Sequence, residues 1–349
     1  MAAIRIGLLI PREGAAGLWA PSALACARLA VHEINQRDGL LGRPVELLTF
    51  NAGHNADSAV DAVDMAIHVD DVDAIVGCFP SYARRSVTRR IGGRVPFVYT
   101  PQYEGYENDR TVVAIGETAH DLLTPALDWI ISKKRARRFF LCGNDYIWPR
   151  STLATARAIV AERACHVVGE MLLPLETTDY SQLIETIRRS GADVVVPYFL
   201  GSDSIQFNRA FAEAGLAGKV LRLTSAVDET VLYGLSENAT ENLYVASGYF
   251  GALRSRNNGA FLERYHTLYG DNPPPANSFG QSCYEGVHSI AALADAAGSL
   301  RTSEVLRRMG RSHLKSTARG ADPRPVTGSA PAIHLARADG YDFTVLTPA

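Results

Sequence analysis

No stretch of this 349-residue chain approaches the roughly 18 consecutive apolar residues that a membrane-spanning helix needs, so no membrane insertion is expected. Nothing in it matches GxGxxG behind the first strand-like run, GxxxxGK[ST] or GxSxG, and nucleotide cradles and the nucleophile elbow are left without support. The nine histidines contain no HxxxH and the five cysteines no CxxC, which excludes the common ligand spacings and predicts neither a metal nor another cofactor. An excess of charge of one sign is also missing. With 35 Lys and Arg against 37 Asp and Glu the net charge is -2, which predicts no direct nucleic-acid binding and no attraction to an anionic membrane.

Cysteine is sparse: Cys26, Cys78, Cys142, Cys165 and Cys283 are dispersed and mostly sit in apolar or helical runs such as AIVGCF and FFLCG. They read as buried, reduced thiols of a cytosolic protein. The opening MAAIRIGLLIPREG enters a β-rich run without a basic n-region, a long apolar h-region and a small-residue cleavage site. The expectation is a cytoplasmic protein, or a periplasmic one whose leader has been removed.

What is present is a globular composition, 47% hydrophobic and 21% charged, on a chain too long for one hydrophobic core. The strand-like runs IRIGLLI, PVELLTF, VDAIVGC and VPFVY alternate with the helix-period segments SALACARLAVHEINQRDGLLG, ADSAVDAVDMAIHVD and YARRSVTRRIGG. Ser22 is the N-cap candidate of the first helix. The pattern then repeats from HDLLTPALDWIISKK to VLRLTS. Such alternation predicts an α/β protein of two doubly wound, mainly parallel sheets covered on both faces. Helices return in NGAFLERYHTLYG and SFGQSCYEGVHSIAALADAAGSL, and two strand-like pieces flank the turn at Asp339 and Gly340. The chain is therefore expected to cross between lobes more than once. The basic run SKKRARR reads as helix C-terminal charge favoured by the dipole, not as a nucleic-acid patch.

Candidate chemistry gathers at strand C-termini, where open α/β sheets bind ligands. In the first half these positions hold Phe79, Ser81, Tyr99, Pro101, Gln102, Tyr103 and Glu104; in the second, Asn144, Asp145, Tyr146, Trp148, Phe199, Gly201, Ser202, Thr224, Ser225 and Asp228. Tyrosine and tryptophan supply flat apolar walls with one polar tip, suited to a small neutral ligand with a carbonyl and an NH2. Glu104, Glu107, Asp145 and Asp228 are general-base candidates by type, yet none stands beside a recognisable nucleophile, so no enzyme is predicted.

The segments VGCFPSYARRSV, VYTPQYEGYEN, GNDYIWPRST, LTSAVDE, YHTLYG and SFGQSCYEGVHSI together resemble type I periplasmic-binding-protein folds. Within them the chain is most similar to the amide-sensing negative regulators of aliphatic amidase expression, and next to urea and short-chain amide receptors of ABC transporters. The resemblance implies two Rossmann-like lobes joined by three crossovers: 1–118 plus 251–317, and 119–250 plus 318–349, with the ligand cleft between them. It implies that Ser81, Tyr99, the backbone of Pro101, Gln102 and Tyr103, Tyr146, Trp148 and Thr224 approach the ligand; Phe79, Phe199, Gly201 and Tyr249 complete the candidate set. Three positions depart from the amide regulators. Pro101 and Gln102 stand where those carry threonine and proline, glutamine before YEG being the urea-receptor form. Pro101 offers no hydroxyl to an amino acid's α-carboxylate. Trp148 replaces the usual tyrosine of DYIYPR.

The leading expectation is a non-catalytic sensor that binds a short-chain amide or urea-like ligand and controls amidase or nitrile-degradation genes through an antiterminator partner. The alternative is the substrate-binding receptor of an ABC transporter for urea, amides or a related small solute. Homo-oligomerisation stays open.

Overall fold

The run IRIGLLI forms β1 (Ile4–Ile10), all of it buried except Arg5, because a parallel strand covered on both faces needs apolar side chains on both. The computed structural model describes residues 2–105, 109–314, 317–319, 324–327 and 332–348. After β1 a 3-10 turn, Ala15–Trp19, leads without a break into α1 (Ala20–Asn35), followed by β2 (Val45–Asn51) and α2 (Ala56–Asp64). Then come β3 (Ala74–Gly77), α3 (Ser81–Ile91), β4 (Phe97–Tyr99) and β5 (Val112–Ala114). The five strands form one all-parallel sheet in the order β2-β1-β3-β4-β5.

Thr118 then caps α4 (Ala119–Lys133) with a reciprocal capping box to Asp121. A second series follows: β6 (Arg138–Asn144), α5 (Ile147–Glu162), β7 (His166–Leu173), α6 (Ser181–Ser190), β8 (Val194–Tyr198), α7 (Ser202–Glu213), β9 (Leu221–Thr224), α8 (Glu229–Tyr233), α9 (Glu237–Thr240) and β10 (Leu243–Ser247). The chain continues with α10 (Arg256–Tyr269), α11 (Ser278–Ala297), α12 (Thr302–Leu306) and the short pair β11 (His313–Leu314) and β12 (Arg324–Pro325). It closes with the hairpin β13 (His334–Asp339) and β14 (Asp342–Pro348), which pairs antiparallel onto β10. The second sheet therefore runs β14-β13-β10-β9-β8-β6-β7.

Two compact units result: unit 1 is 1–117 with 254–331, and unit 2 is 118–253 with 332–349. The chain changes unit after 117, 253 and 331. The third comes after 331, not after Thr317, because Ala318 and Arg319 are buried and Arg319 is ion-paired to Glu117 and Glu285 of unit 1.

In unit 1, α2 and α3 pack on one face of the sheet through Leu9, Val63, Ile75, Val87 and Phe97. On the other face α11 lies against α1, β3 and β4. Glu33 of α1 ties this layer together: it accepts from Arg264 Nε and Tyr284 Oη at 2.7 Å each and lies 3.2 Å from His288 Nε2. Burial alone would raise its pKa, but these partners pull it down to about 2. Ser22 does not cap α1. The helix begins earlier, at Ala20 with Pro21 in its first turn, and the buried Ser22 hydroxyl instead accepts from Asn277 N–H at 3.3 Å. In unit 2, α4 and α5 cover one face and α6 and α7 the other. All five cysteines are buried, and burial pushes the Cys26 thiol up to about 12. Burial alone keeps such thiols unreactive, so they carry no mark of a compartment.

Two glycines separate packing from propensity. A Cβ on Gly286 of α11 would stand 2.6 Å from Thr100 Cγ2 and 2.8 Å from Val76 Cγ1, whereas one on the exposed Gly259 of α10 would meet nothing within 4 Å. Gly286→Leu is expected to cost about 1–3 kcal/mol or more in urea denaturation, and Gly259→Ala to add about 0.5–1 kcal/mol.

Candidate functional site

In unit 1 the strand ends converge on the start of α3. Phe79 follows β3 and turns inward: its ring lies 5.4 Å from Tyr99 edge-on and 6.4 Å from Phe97. The Tyr99 hydroxyl, fully buried, donates to the Phe79 carbonyl at 2.8 Å, and burial first, then Glu104, pushes its pKa well up. Ser81 is the first residue of α3; its Oγ is buried and has no hydrogen-bond partner among the described residues.

One helical turn on, on the same face, Arg84 pairs with Glu104 at 2.9 Å, both side chains about nine-tenths buried. The guanidinium carbon stands 5.0 Å from the Tyr103 ring centroid and 5.5 Å from that of Tyr99. Glu104 is thus the counter-ion of Arg84 and not a general base. The YEG glycine, Gly105, has φ 86, a backbone setting that favours glycine. Pro101 is buried and Gln102 and Tyr103 half-buried, with Tyr103 N–H donating to the Glu117 carbonyl at 3.0 Å. Glu107 lies outside the described residues.

In unit 2 most candidate side chains serve the scaffold. Asn144, fully buried, donates to Asp203 at 2.7 Å and accepts from Leu200 N–H at 2.7 Å, joining the ends of β6 and β8 to α7. Asp145 forms an exposed ion pair with Arg150, the two charges of the DYIWPR motif. Tyr146 stands at the N-cap of α5, its ring 6.3 Å from Trp148, and Trp148 packs edge-on to Tyr198 at 5.2 Å. Phe199 lies in a different core cluster, stacked 4.7 Å from Phe207, because neighbouring strand residues face opposite sides. Gly201 precedes α7 with φ 46, and Ser202 is that helix's first residue. The Thr224 hydroxyl donates to the Pro197 carbonyl and accepts from Ala226 N–H, while Ser225 Oγ donates to Tyr198 Oη at 3.1 Å. Tyr249 is buried, its N–H donating to Ser247 Oγ at 3.3 Å.

The structure thus brings Phe79, Ser81, Tyr99 and Tyr103 together in unit 1, and Tyr146 with Trp148 in unit 2. It assigns Phe199 and the Thr224 hydroxyl to internal packing and bonding. Two groups escaped the sequence reading. Arg84 was signalled only by its spacing of three from Ser81. Glu229 follows Asp228 at the end of β9; both are buried, and Glu229 Oε1 accepts from Gly251 N–H at 2.8 Å while Oε2 has no hydrogen-bond partner among the described residues. Asp228 is the N-cap of α8, accepting from Val231 N–H at 3.0 Å. Burial pushes Asp228 up to about 6; burial, then the neighbouring Asp228, pushes Glu229 up to about 8. Among the described residues no group of three His, Cys, Asp or Glu is placed to hold a metal, and no helix is long and apolar enough to cross a membrane.

Two parallel-sheet units exchanging the chain three times, with aromatic and hydroxyl side chains at strand C-termini, define a ligand-binding α/β protein. The family profile described as periplasmic binding protein matches residues 3–330, and the chain belongs to that family. It is 25% identical over 300 residues to Leu/Ile/Val-binding protein homolog 7 of Brucella suis biovar 1, covering 79% of this chain and 73% of the relative. In fold it is similar to the branched-chain amino acid transporter substrate binding protein LivJ from Streptococcus pneumoniae, solved with isoleucine: TM-score 0.85, 16% identity, 99% of each chain. A solute binding protein of an ABC transporter from R. palustris, solved with benzoate, gives a TM-score of 0.82 at 15% identity, covering 99% of this chain and 96% of the other.

Glu229 sets a pH dependence. A carboxyl whose pKa is raised on folding keeps its proton in the native state after the unfolded chain has lost it, so its contribution is full below the unfolded value of 4.5 and lost as pH rises through about 8. Wild-type stability should carry this fall, at most about 1.4 kcal/mol per pH unit for one proton. Glu229→Gln should flatten it, as read by urea denaturation between about pH 5 and about pH 9.

Proposed function

We propose that this chain is a non-catalytic receptor for a small organic solute, serving an importer of the ABC type, in which Ser81 and neighbouring backbone N–H groups receive a carbonyl or carboxylate oxygen of the solute. The observation that carries the reading is the buried Ser81 Oγ, which has no hydrogen-bond partner among the described residues, at the C-terminal edge of the five-stranded sheet. A buried hydroxyl left unpaired costs free energy, and a ligand oxygen there would remove that cost. Phe79, Tyr99 and Tyr103 supply aromatic surface beside it, and the backbone of Pro101, Gln102 and Tyr103 borders the solute. The family relationship and the names of the relatives favour a receptor over a gene regulator, and support work in the periplasm.

Short amides and urea are the first solutes in this reading, supported by Gln102 before YEG and by Pro101. Zwitterionic amino acids form a second reading, favoured by the names of the relatives. Control of amidase genes through an antiterminator rests on residue likeness alone, and two charges of its DYIWPR motif are engaged with each other.

Thermal denaturation with acetamide, urea, isoleucine and benzoate tests the reading. The true ligand class at a hundredfold excess over Kd should stabilise the protein by about 2.7 kcal/mol. Ser81→Ala should weaken that ligand about tenfold without unfolding the chain. Failure of all four solutes, or an unchanged affinity in the variant, sinks the Ser81 assignment. Co-purification of an antiterminator in place of a permease would return the regulator to first place.

A further inference from the structure

Arg319 is 3% exposed and holds two carboxylates. Its Nε and Nη2 donate to Glu285 Oε2 at 3.0 and 2.9 Å, and its Nη1 donates to Glu117 Oε1. Glu285, in the middle of α11, also accepts from Gln281 Nε2 at 2.8 Å and from the Thr317 hydroxyl. The members come from three segments of unit 1: the stretch after β5, α11, and the stretch after β11. Burial works against the charge of Arg319, but Glu285 and Glu117 outweigh it and push its pKa up. A buried cluster of this kind gains little net stability once desolvation is counted, so its positional consequence is the informative part.

That consequence falls on Glu117. Its carbonyl accepts the Tyr103 N–H at 3.0 Å. The residue before it, Gly116, lies so close to the Pro101 carbonyl that an added Cβ would collide with it and come within 2.8 Å of Gln102 N. Pro101, Gln102 and Tyr103 are therefore laid along Gly116 and Glu117. Tyr103 is held twice, by its N–H on Glu117 and by its ring beside Arg84.

The geometry points to Arg319 as a positioning residue for the solute loop: by gripping the Glu117 carboxylate it fixes the carbonyl on which Tyr103 hangs, and with it the placement of Pro101, Gln102 and Tyr103. The role rests on the receptor reading, in which those three residues border the solute. Arg319 itself touches none of the candidate ligand residues; it acts through Glu117.

The test uses Glu117→Gln, which keeps the shape and the backbone carbonyl and leaves Arg319 paired with Glu285. Amide hydrogen exchange by NMR should show the Tyr103 N–H exchanging roughly tenfold faster or more, with the amides of β1 and β3 unchanged. In the same samples the affinity for whichever of acetamide, urea, isoleucine or benzoate binds the wild type should fall about tenfold. Arg319→Lys, which keeps the charge but not the two-carboxylate fork, should give the same pattern and serves if Glu117→Gln fails to fold. Unchanged Tyr103 protection overturns the proposal. So does faster exchange with unchanged affinity, or exchange that rises equally through β1 and β3, the mark of a merely structural cluster. If no probe binds the wild type, the receptor reading fails by itself and the exchange arm still decides the Arg319 link.

Discussion

All strands of the five-stranded sheet, and five of the seven in the other, run parallel. Parallel pairing obliges each connection to travel back across a face, which buries both faces and delivers every strand's C-terminal end to one edge. The remainder of the molecule follows from this. Side chains within the strands are largely spent on the core, and the loops that leave that edge are free to carry polar and aromatic groups. Ser81 and Tyr103 stand at that edge of the five-stranded sheet, Tyr146 and Trp148 at the corresponding edge of the other.

The same burial explains how the chain treats its charges. Glu33, Glu104 and Glu285 lie among apolar layers and each is answered by arginine. Arg222, in β9, is answered differently: its guanidinium donates to Asn208 Oδ1 and the carbonyls of Ala239 and Glu241, and lies 4.8 Å from the Phe211 ring centroid. Burial draws its pKa down to about 9, against the weaker pull of the nearby Glu241 carboxylate. Backbone N–H groups favour the ionised forms of Asp228 and Glu229, but burial outweighs them and pushes both carboxyls up.

How much of this was legible in the sequence depends on the length scale of the signal. The strands and long helices were, because IRIGLLI and SFGQSCYEGVHSIAALADAAGSL carry their periods over seven residues and more. The cap of α1 was misread, since a hydroxyl before an apolar run marks an N-terminus only when the chain turns there, and here the preceding 3-10 turn extends the helix back past Ser22. Phe199 and Thr224 sit at the right edge, but alternation along the strand and a local hydroxyl-to-carbonyl bond decide where they point and what they hold. Arg84 was hidden because its partner lies twenty residues away in a loop, and the Arg319 cluster because its members are brought together only by the finished fold.

The return of the chain to unit 1 has a consequence for how the molecule is made. The first sheet is complete in sequence at Ala114, yet the helix that packs against β3 and β4 on one face, α11, begins only at Ser278. At about 5–20 residues per second on the ribosome, that apolar face waits on the order of ten seconds for its cover. During that interval the nascent first half exposes a greasy surface and an unfinished layer, while unit 2 is being synthesised between the two. Both units also depend on a final excursion, 254–331 for one and β13 with β14 for the other. Neither is a module that can be cut from the chain at a single point.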